Sequence, residues 1–224
     1  MNDKLAERIE KLKELSIETL CKKFNCTPEE ICMDDYIARN SNDTECPYKV
    51  ILGYADFELS NITNLGKLEI VFGRRLKDAY GPLNDINGKP VYLGLNIKNS
   101  NVNSLGNLKK VYGSFSLNEH IKSLGNLEYL GSNLYLNNTY ITDLGNLKEV
   151  NGRLNLENLK GELTSLNKLK KVDKLFIDIK TLQDIGELEK VKQIIYGKHC
   201  GYNVIKLVNS RFGDIKNSNE AIYY

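Results

Sequence analysis

The feature that most constrains this chain is a repeating unit, L-G-N-L-x-x-V-x-G-x-L-x-L-x-x-x-x-I-x-x, which fills its middle. It reads SLGNLKKVYGSFSLNEHI from Ser104, SLGNLEYLGSNLYLNNTYI from Ser123 and DLGNLKEVNGRLNLENLKGEL from Asp143. Looser copies run SLNKLKKVDKLFIDIKTL from Ser165 and DIGELEKVKQIIYG from Asp184; the glycine after the first leucine is replaced at Asn167 and returns at Gly186. The first apolar residues of these copies, Leu105, Leu124, Leu144, Leu166 and Ile185, are separated by 19, 20, 22 and 19 residues. Self-similarity at this period is the mark of a stacked repeat, because one short unit cannot bury its own apolar face. Upstream, Leu65 restarts the pattern as NLGKLEIVFG. From Leu65 to Leu105 is 40 residues, room for two units, and Leu83, Ile86, Val91, Leu95 and Ile97 can fill the intermediate one. The stretch RRLKDAYGPLNDINGKP, punctuated by Gly and Pro, predicts an irregular or inserted loop at about 72–90.

Two periodicities alternate within each unit. Leu134 with Leu136, and Leu154 with Leu156, have the spacing of a strand with one face buried. Leu124, Leu127 and Leu130 are spaced by three, which predicts a short helical or 3-10 turn. A glycine at 113, 131 or 152 breaks the chain before the strand, and the Ile or Val at 102, 121 or 141 closes the far side. Each copy is therefore read as one coil of strand, bend, turn and bend, stacked on its neighbours.

The run L-x-L-x-x-T-x-I-x-x-L-G-N-L at Leu134–Leu147 resembles the leucine-rich-repeat family, and within it the short bacterial repeats of the internalins. The resemblance covers roughly residues 55–197. It implies an α/β solenoid: a curved parallel sheet on the concave side, short helical or 3-10 turns on the convex side, and binding of another protein through the concave sheet. The units are shorter than the internalin length and the sequence shows no signal or wall-anchor segment, so an exported internalin-like adhesin stands as the second expectation. The Lys, Asn and Ile-rich vocabulary fits a bacterial, AT-rich genome and an effector.

A solenoid needs its terminal apolar faces covered. Leu5, Ile9, Leu12, Leu15 and Leu20 give residues 3–24 an amphipathic helical spacing. Thr27-Pro28-Glu29-Glu30 reads as a capping box with proline at the first helical position, opening a second helix through about Ala38. The predicted organisation is a helical N-terminal cap over 1–54, repeats over 55–197, and a C-terminal cap over 198–224 that keeps Val204, Ile205, Leu207 and Val208 together and finishes in Ala-Ile-Tyr-Tyr.

Composition excludes several classes of function. With 31 Lys and Arg against 29 Asp and Glu, the net charge of +2 is too small to drive nucleic-acid binding by counterion release. No long uncharged apolar run exists to span a bilayer, and the charged N-terminal stretch lacks the apolar region of a secretory signal. The expected location is cytoplasmic, or within a host cell after delivery without a standard signal peptide. Five cysteines, Cys21, Cys26, Cys32, Cys46 and Cys200, allow a disulfide framework, a metal or thiol site, or free thiols in a reduced compartment. The C-x4-C-x5-C-x13-C spacing matches paired zinc ligands poorly, so free thiols and no metal or other cofactor are expected.

Two histidines, His120 and His199, limit acid–base chemistry. A Cys200 nucleophile beside His199 lacks an orienting third group, and no phosphate loop or hydrolase motif occurs, so no catalytic residue is assigned. The strand register instead predicts an outward row of Asn96, Ser116, Tyr135, Asn155, Phe176 and Ile195. Ser114 and Asn118, Asn133 and Asn137, Arg153 and Glu157, and Lys174 and Asp178 flank it. Partner contact is expected from Asn96, Ser116, Asn133, Tyr135, Asn137, Arg153, Asn155, Glu157, Lys174, Phe176 and Asp178, with Tyr135 and Phe176 as aromatic anchors.

Overall fold

A computed structural model describes residues 3–39, 42–75, 77–78, 81–82 and 91–213. The chain divides into two compact units, 1–116 and 117–224, and each is a stack of parallel β coils. Among the described residues no helix is long and apolar enough to cross a membrane.

The first unit opens with helix α1 (Asp3–Lys13) and helix α2 (Ile17–Phe24). The spacing over 3–24 predicts one helix, but Ser16 divides it. Its extended backbone and its hydroxyl, which accepts the Thr19 N–H at 3.3 Å, cap a new start. Asn25 ends α2 in the left-handed region at φ 51°. Ile9, Leu12 and Leu20 join Ile31, Val50, Leu52 and Phe72 in one buried cluster.

The capping box forms, with Glu30 Oε2 accepting the Thr27 N–H at 3.0 Å, yet the helix expected through Ala38 does not follow. Only a 3-10 turn, Pro28–Glu30, is made before the chain enters strands β1 (Ile31–Cys32) and β2 (Tyr36–Ile37). A β-branched residue just after the box, able to pair and bury at once, outweighs the start signal. Parallel partners follow: β3 (Val50–Ile51) pairs with β1, and β4 (Ala55–Asp56) with β2.

Next come β5 (Ile70–Val71), β6 (Arg74–Arg75), and the antiparallel pair β7 (Lys77–Asp78) and β8 (Gly81–Pro82). Strands β9 (Tyr92–Asn96), β10 (Lys110–Val111) and β11 (Ser114–Ser116) complete the unit. β5 pairs directly with β10, Ile70 opposite Lys110, and Asn64 bridges to Ser104. The 40 residues from Leu65 to Leu105 thus make one coil, not the two that their number allows. The pairing decides it: Asn64 bridges directly to Ser104 and β4 pairs directly with β9, Ala55 opposite Leu95, which leaves no further coil stacked between them. Leu95 and Ile97 are buried in that one coil, while Leu83 and Ile86 lie outside the described residues, as do 76, 79–80 and the rest of 83–90.

In the second unit β12 (Tyr129–Leu130) and β13 (Leu134–Tyr135) both pair with the long β14 (Glu149–Glu157), which pairs with β15 (Lys171–Asp178), which pairs with β16 (Lys190–Tyr196). β14 bends between Val150 and Arg153, where the register shifts. A Cβ on Gly152 would come within 2.5 Å of the Ser132 backbone, so this bend admits only glycine. Leu124, Leu127, Leu134, Leu136, Leu144, Leu147, Leu154 and Leu156 are all fully buried, as the repeat predicts.

The helical or 3-10 turn expected at L-G-N-L is absent: among the described residues, no helix lies between Ile31 and Gly201. Each corner is a single turn, for example Leu147 N–H to Leu144 C=O at 3.1 Å, with Gly145 at φ 56°. A 3-10 turn would need a negative φ there. Asn167 takes the same position at φ 48°, asparagine being the side chain that best tolerates it. The residue two before the glycine completes the corner: Asp143 Oδ1 accepts the Gly145 N–H at 2.8 Å, and the Ser123 hydroxyl donates to Asp143 Oδ2 at 2.7 Å. At Asp184 the same bonds, from the Ser165 hydroxyl and the Gly186 N–H, hold the carboxyl below its usual range.

Helix α3 (Tyr202–Phe212) closes the described chain. Val204 and Val208, one turn apart, are buried, and Arg211 donates to the Gly186 carbonyl at 2.7 Å. The Ala-Ile-Tyr-Tyr terminus lies outside the described residues.

Candidate functional site

In the second unit the strands carry one aligned outward rank. Tyr135 stands opposite Asn155, Asn155 opposite Phe176 and Phe176 opposite Ile195, between buried Leu134, Leu154, Leu175 and Ile194 on one side and Leu136, Leu156 and Ile177 on the other. Arg153 stands opposite Lys174, and Glu157 opposite Asp178.

These residues divide by what already occupies them. Tyr135 is 42% exposed, and its Oη accepts from Asn133 Nδ2 at 3.1 Å. Asn133 Oδ1 also accepts the Arg153 backbone N–H at 2.8 Å, which ties Asn133 to the scaffold. The Arg153 guanidinium lies 4.9 Å from the Phe176 ring centroid, a cation–π contact that fixes both side chains. The Nε of Arg153 is buried with no acceptor among the described residues. Lys174 is half-buried and makes no ion pair among them.

Asn155 is only 6% exposed, and its Oδ1 accepts the Glu157 N–H at 3.1 Å. It builds its own turn and offers a partner little. Asn137 Nδ2 donates to Glu157 Oε2 at 3.4 Å. Asp178, its side chain 8% exposed, accepts the His199 backbone N–H at 2.5 Å and faces His199 Nδ1 at 3.3 Å. It anchors the segment leading to α3. Tyr135, Arg153, Lys174 and Phe176 are therefore the members of the second-unit rank with side-chain capacity to spare.

In the first unit, Asp56, Asn96 and Ser116 align in successive coils. Asn96 Nδ2 donates to Asp56 Oδ1 at 3.0 Å and to Glu58 Oε2 at 3.3 Å, while its Oδ1 accepts the Lys98 N–H at 3.0 Å. All of its polar atoms are engaged within the unit. Asp56 and Glu58 were not singled out by sequence reasoning, because their coil precedes the clear copies of the motif.

Cys46 is buried, and Cys21, Cys26, Cys32 and Cys200 are partly buried. All five cysteines are free. Burial pushes the Cys46 thiol up to about 12 and Cys200 up to about 11, and raises Cys26 and Cys32, so each keeps its proton at neutral pH. The Cys200 Sγ faces the Gly201 carbonyl at 3.9 Å rather than an imidazole. Among the described residues no group of three or more His, Cys, Asp or Glu is placed to hold a metal ion.

No family model, curated protein or solved structure matches this chain.

Proposed function

We propose that the chain is a leucine-rich-repeat-type solenoid acting as a non-catalytic protein-binding module, an inhibitor, adaptor or effector that works by occupying a partner. In this reading the outward strand rank is the concave binding face, while α1, α2 and α3 cap the ends. The observation that carries it is the rank of Tyr135, Arg153, Lys174 and Phe176 in the second unit: a half-exposed phenol, a guanidinium held over an aromatic ring and an ammonium with no ion pair among the described residues, in strand register. Large, preorganised aromatic and Arg side chains supply most interface energy when desolvated. Protonated thiols and a histidine committed to Asp178 leave this surface as the better-supported one.

The test compares wild type with Tyr135→Ala plus Phe176→Ala in a pull-down from source or host cells, after matching both proteins by circular dichroism and thermal melting. The reading expects a partner that the wild type enriches and the folded double variant loses. A partner retained by the double variant places binding elsewhere on the chain.

A further inference from the structure

The side of the N-terminal helices that stays out of the core is a second candidate surface. Lys4, Arg8 and Lys11 fall at i, i+4 and i+7 of α1, on one helical face. With Lys23 from α2 they line a groove of about 410 Å³ over Leu12 and Leu15. The groove carries one carboxylate, Glu7, which is already paired with Lys11 at 2.6 Å. Lys4 and Lys23 are exposed and have no ion pair among the described residues.

Arg8 is held from behind. Its guanidinium lies 5.1 Å from the Tyr112 ring centroid and 5.7 Å from that of Phe72, and the two rings stack at 4.8 Å with 8° between their planes. An arginine fixed in this way loses little side-chain freedom when it pairs with an anion. Leu12, 4% exposed, forms the apolar floor, and Leu15, 36% exposed, stands in the wall. The groove thus combines a cationic rim with an apolar floor, the arrangement that receives an amphipathic peptide.

We infer that this groove docks an acidic peptide segment of a partner protein, its carboxylates on Lys4, Arg8 and Lys23 and a leucine-like side chain over Leu12 and Leu15. Charge complementarity selects the occupant, because four cations against one already paired carboxylate repel a basic segment and attract an acidic one, while a neutral segment gains nothing from them. A nucleic acid has no use for the apolar floor, and a flat bilayer does not reach Leu12. The surface is independent of the strand rank proposed above.

The test uses the full chain and fluorescence anisotropy. The probe is a fluorescein-labelled helical peptide rich in glutamate, with leucines at i and i+4; a second peptide has those leucines changed to serine. Saturable binding at low salt is expected, weakened about tenfold or more by Lys4→Glu plus Lys23→Glu and weakened again by the serine peptide. Lys98→Glu plus Lys206→Glu makes the same change in net charge at exposed sites elsewhere and is expected to leave the affinity unchanged. Equal loss from both charge-reversed pairs, or equal affinity for the two peptides, overturns the inference as diffuse electrostatics. Displacement of the probe by single-stranded DNA or by phosphatidylserine vesicles overturns it in favour of another occupant.

Discussion

Each of the two compact units turns through the same kind of corner, and they differ in what their outward strand positions carry. In the first, Asp56 and Asn96 bond to each other, and Asn96 and Asn99 both donate to Glu58. In the second, the corresponding rank includes a 42%-exposed Tyr135 and a Phe176 held beneath Arg153. Both bury aliphatic side chains at the repeat positions, the first adding Phe57, Phe72, Tyr92 and Phe115, and both have the same left-handed corner, Gly66 at φ 55° and Gly145 at φ 56°. The scaffold is therefore met by the inward residues and the corner, which leaves the outward positions free to be consumed locally or kept for a partner.

The largest effect expected from that comparison is in the core. Leu95→Ala and Leu154→Ala remove side chains that are 1% and 0% exposed and should each cost about 2 to 5 kcal/mol in urea unfolding. A loss below about 1 kcal/mol in one unit alone would break the claim of a shared scaffold.

The corner comes next. Gly145→Ala imposes a Cβ at positive φ and within 2.4 Å of the Gly125 carbonyl oxygen, whereas Gly125→Ala at φ 54° meets nothing within 4 Å. The first should cost roughly 2 kcal/mol or more, the second about 1, from backbone strain alone. Equal melting temperatures for the two variants would show that coil-to-coil contact does not set the corner.

A pH effect separates buried thiols from exposed ones. Because Cys46 is raised from 9.0 to about 12 on folding, the folded state holds its proton more tightly than the unfolded chain. Its contribution is complete below about 9 and falls as the pH rises from there towards 12. Stability measured above pH 9 should decline less steeply in Cys46→Ser than in wild type; identical slopes would contradict the buried-thiol account.

The smallest expected effect is a gain. The second turn of the coil places Asn99, Asn138 and Asn158 at φ 53°, 61° and 51°, but Leu59, 65% exposed, sits there at φ 56°. Leu59→Asn should add about 0.5 to 1 kcal/mol, read as a rise in melting temperature. A fall would mean that the leucine packs in a way its exposure does not indicate.

Much of this architecture is legible in the sequence. The aliphatic positions, the Asn-for-Gly exchange at 167 and the alignment of Tyr135, Asn155 and Phe176 all follow from a unit that recurs every 19 to 22 residues, because each buried position is repeated against its own copy. Where the repeat is interrupted, local signals mislead. Ser16 was hidden within an amphipathic spacing, the box at Thr27 opened only a 3-10 turn, and the length between Leu65 and Leu105 counted for two coils where pairing makes one. The i, i+3 spacing of the corner leucines imitated a helical turn, and only the left-handed φ of the glycine distinguishes the two. The site was legible as a register and not as chemistry. That Asn96 and Asn155 spend their oxygens on backbone N–H groups two residues ahead depends on side-chain orientation, which spacing does not encode.

The most direct test of the central claim is hydrogen exchange read by mass spectrometry on the chain alone and in complex with a captured partner. The account predicts slowed exchange on binding in 133–137, 153–157 and 174–178, with little change at 56–58 and 96–98, where the polar rank is already satisfied. Protection confined to 56–58 and 96–98, with the second-unit segments unchanged, would contradict it.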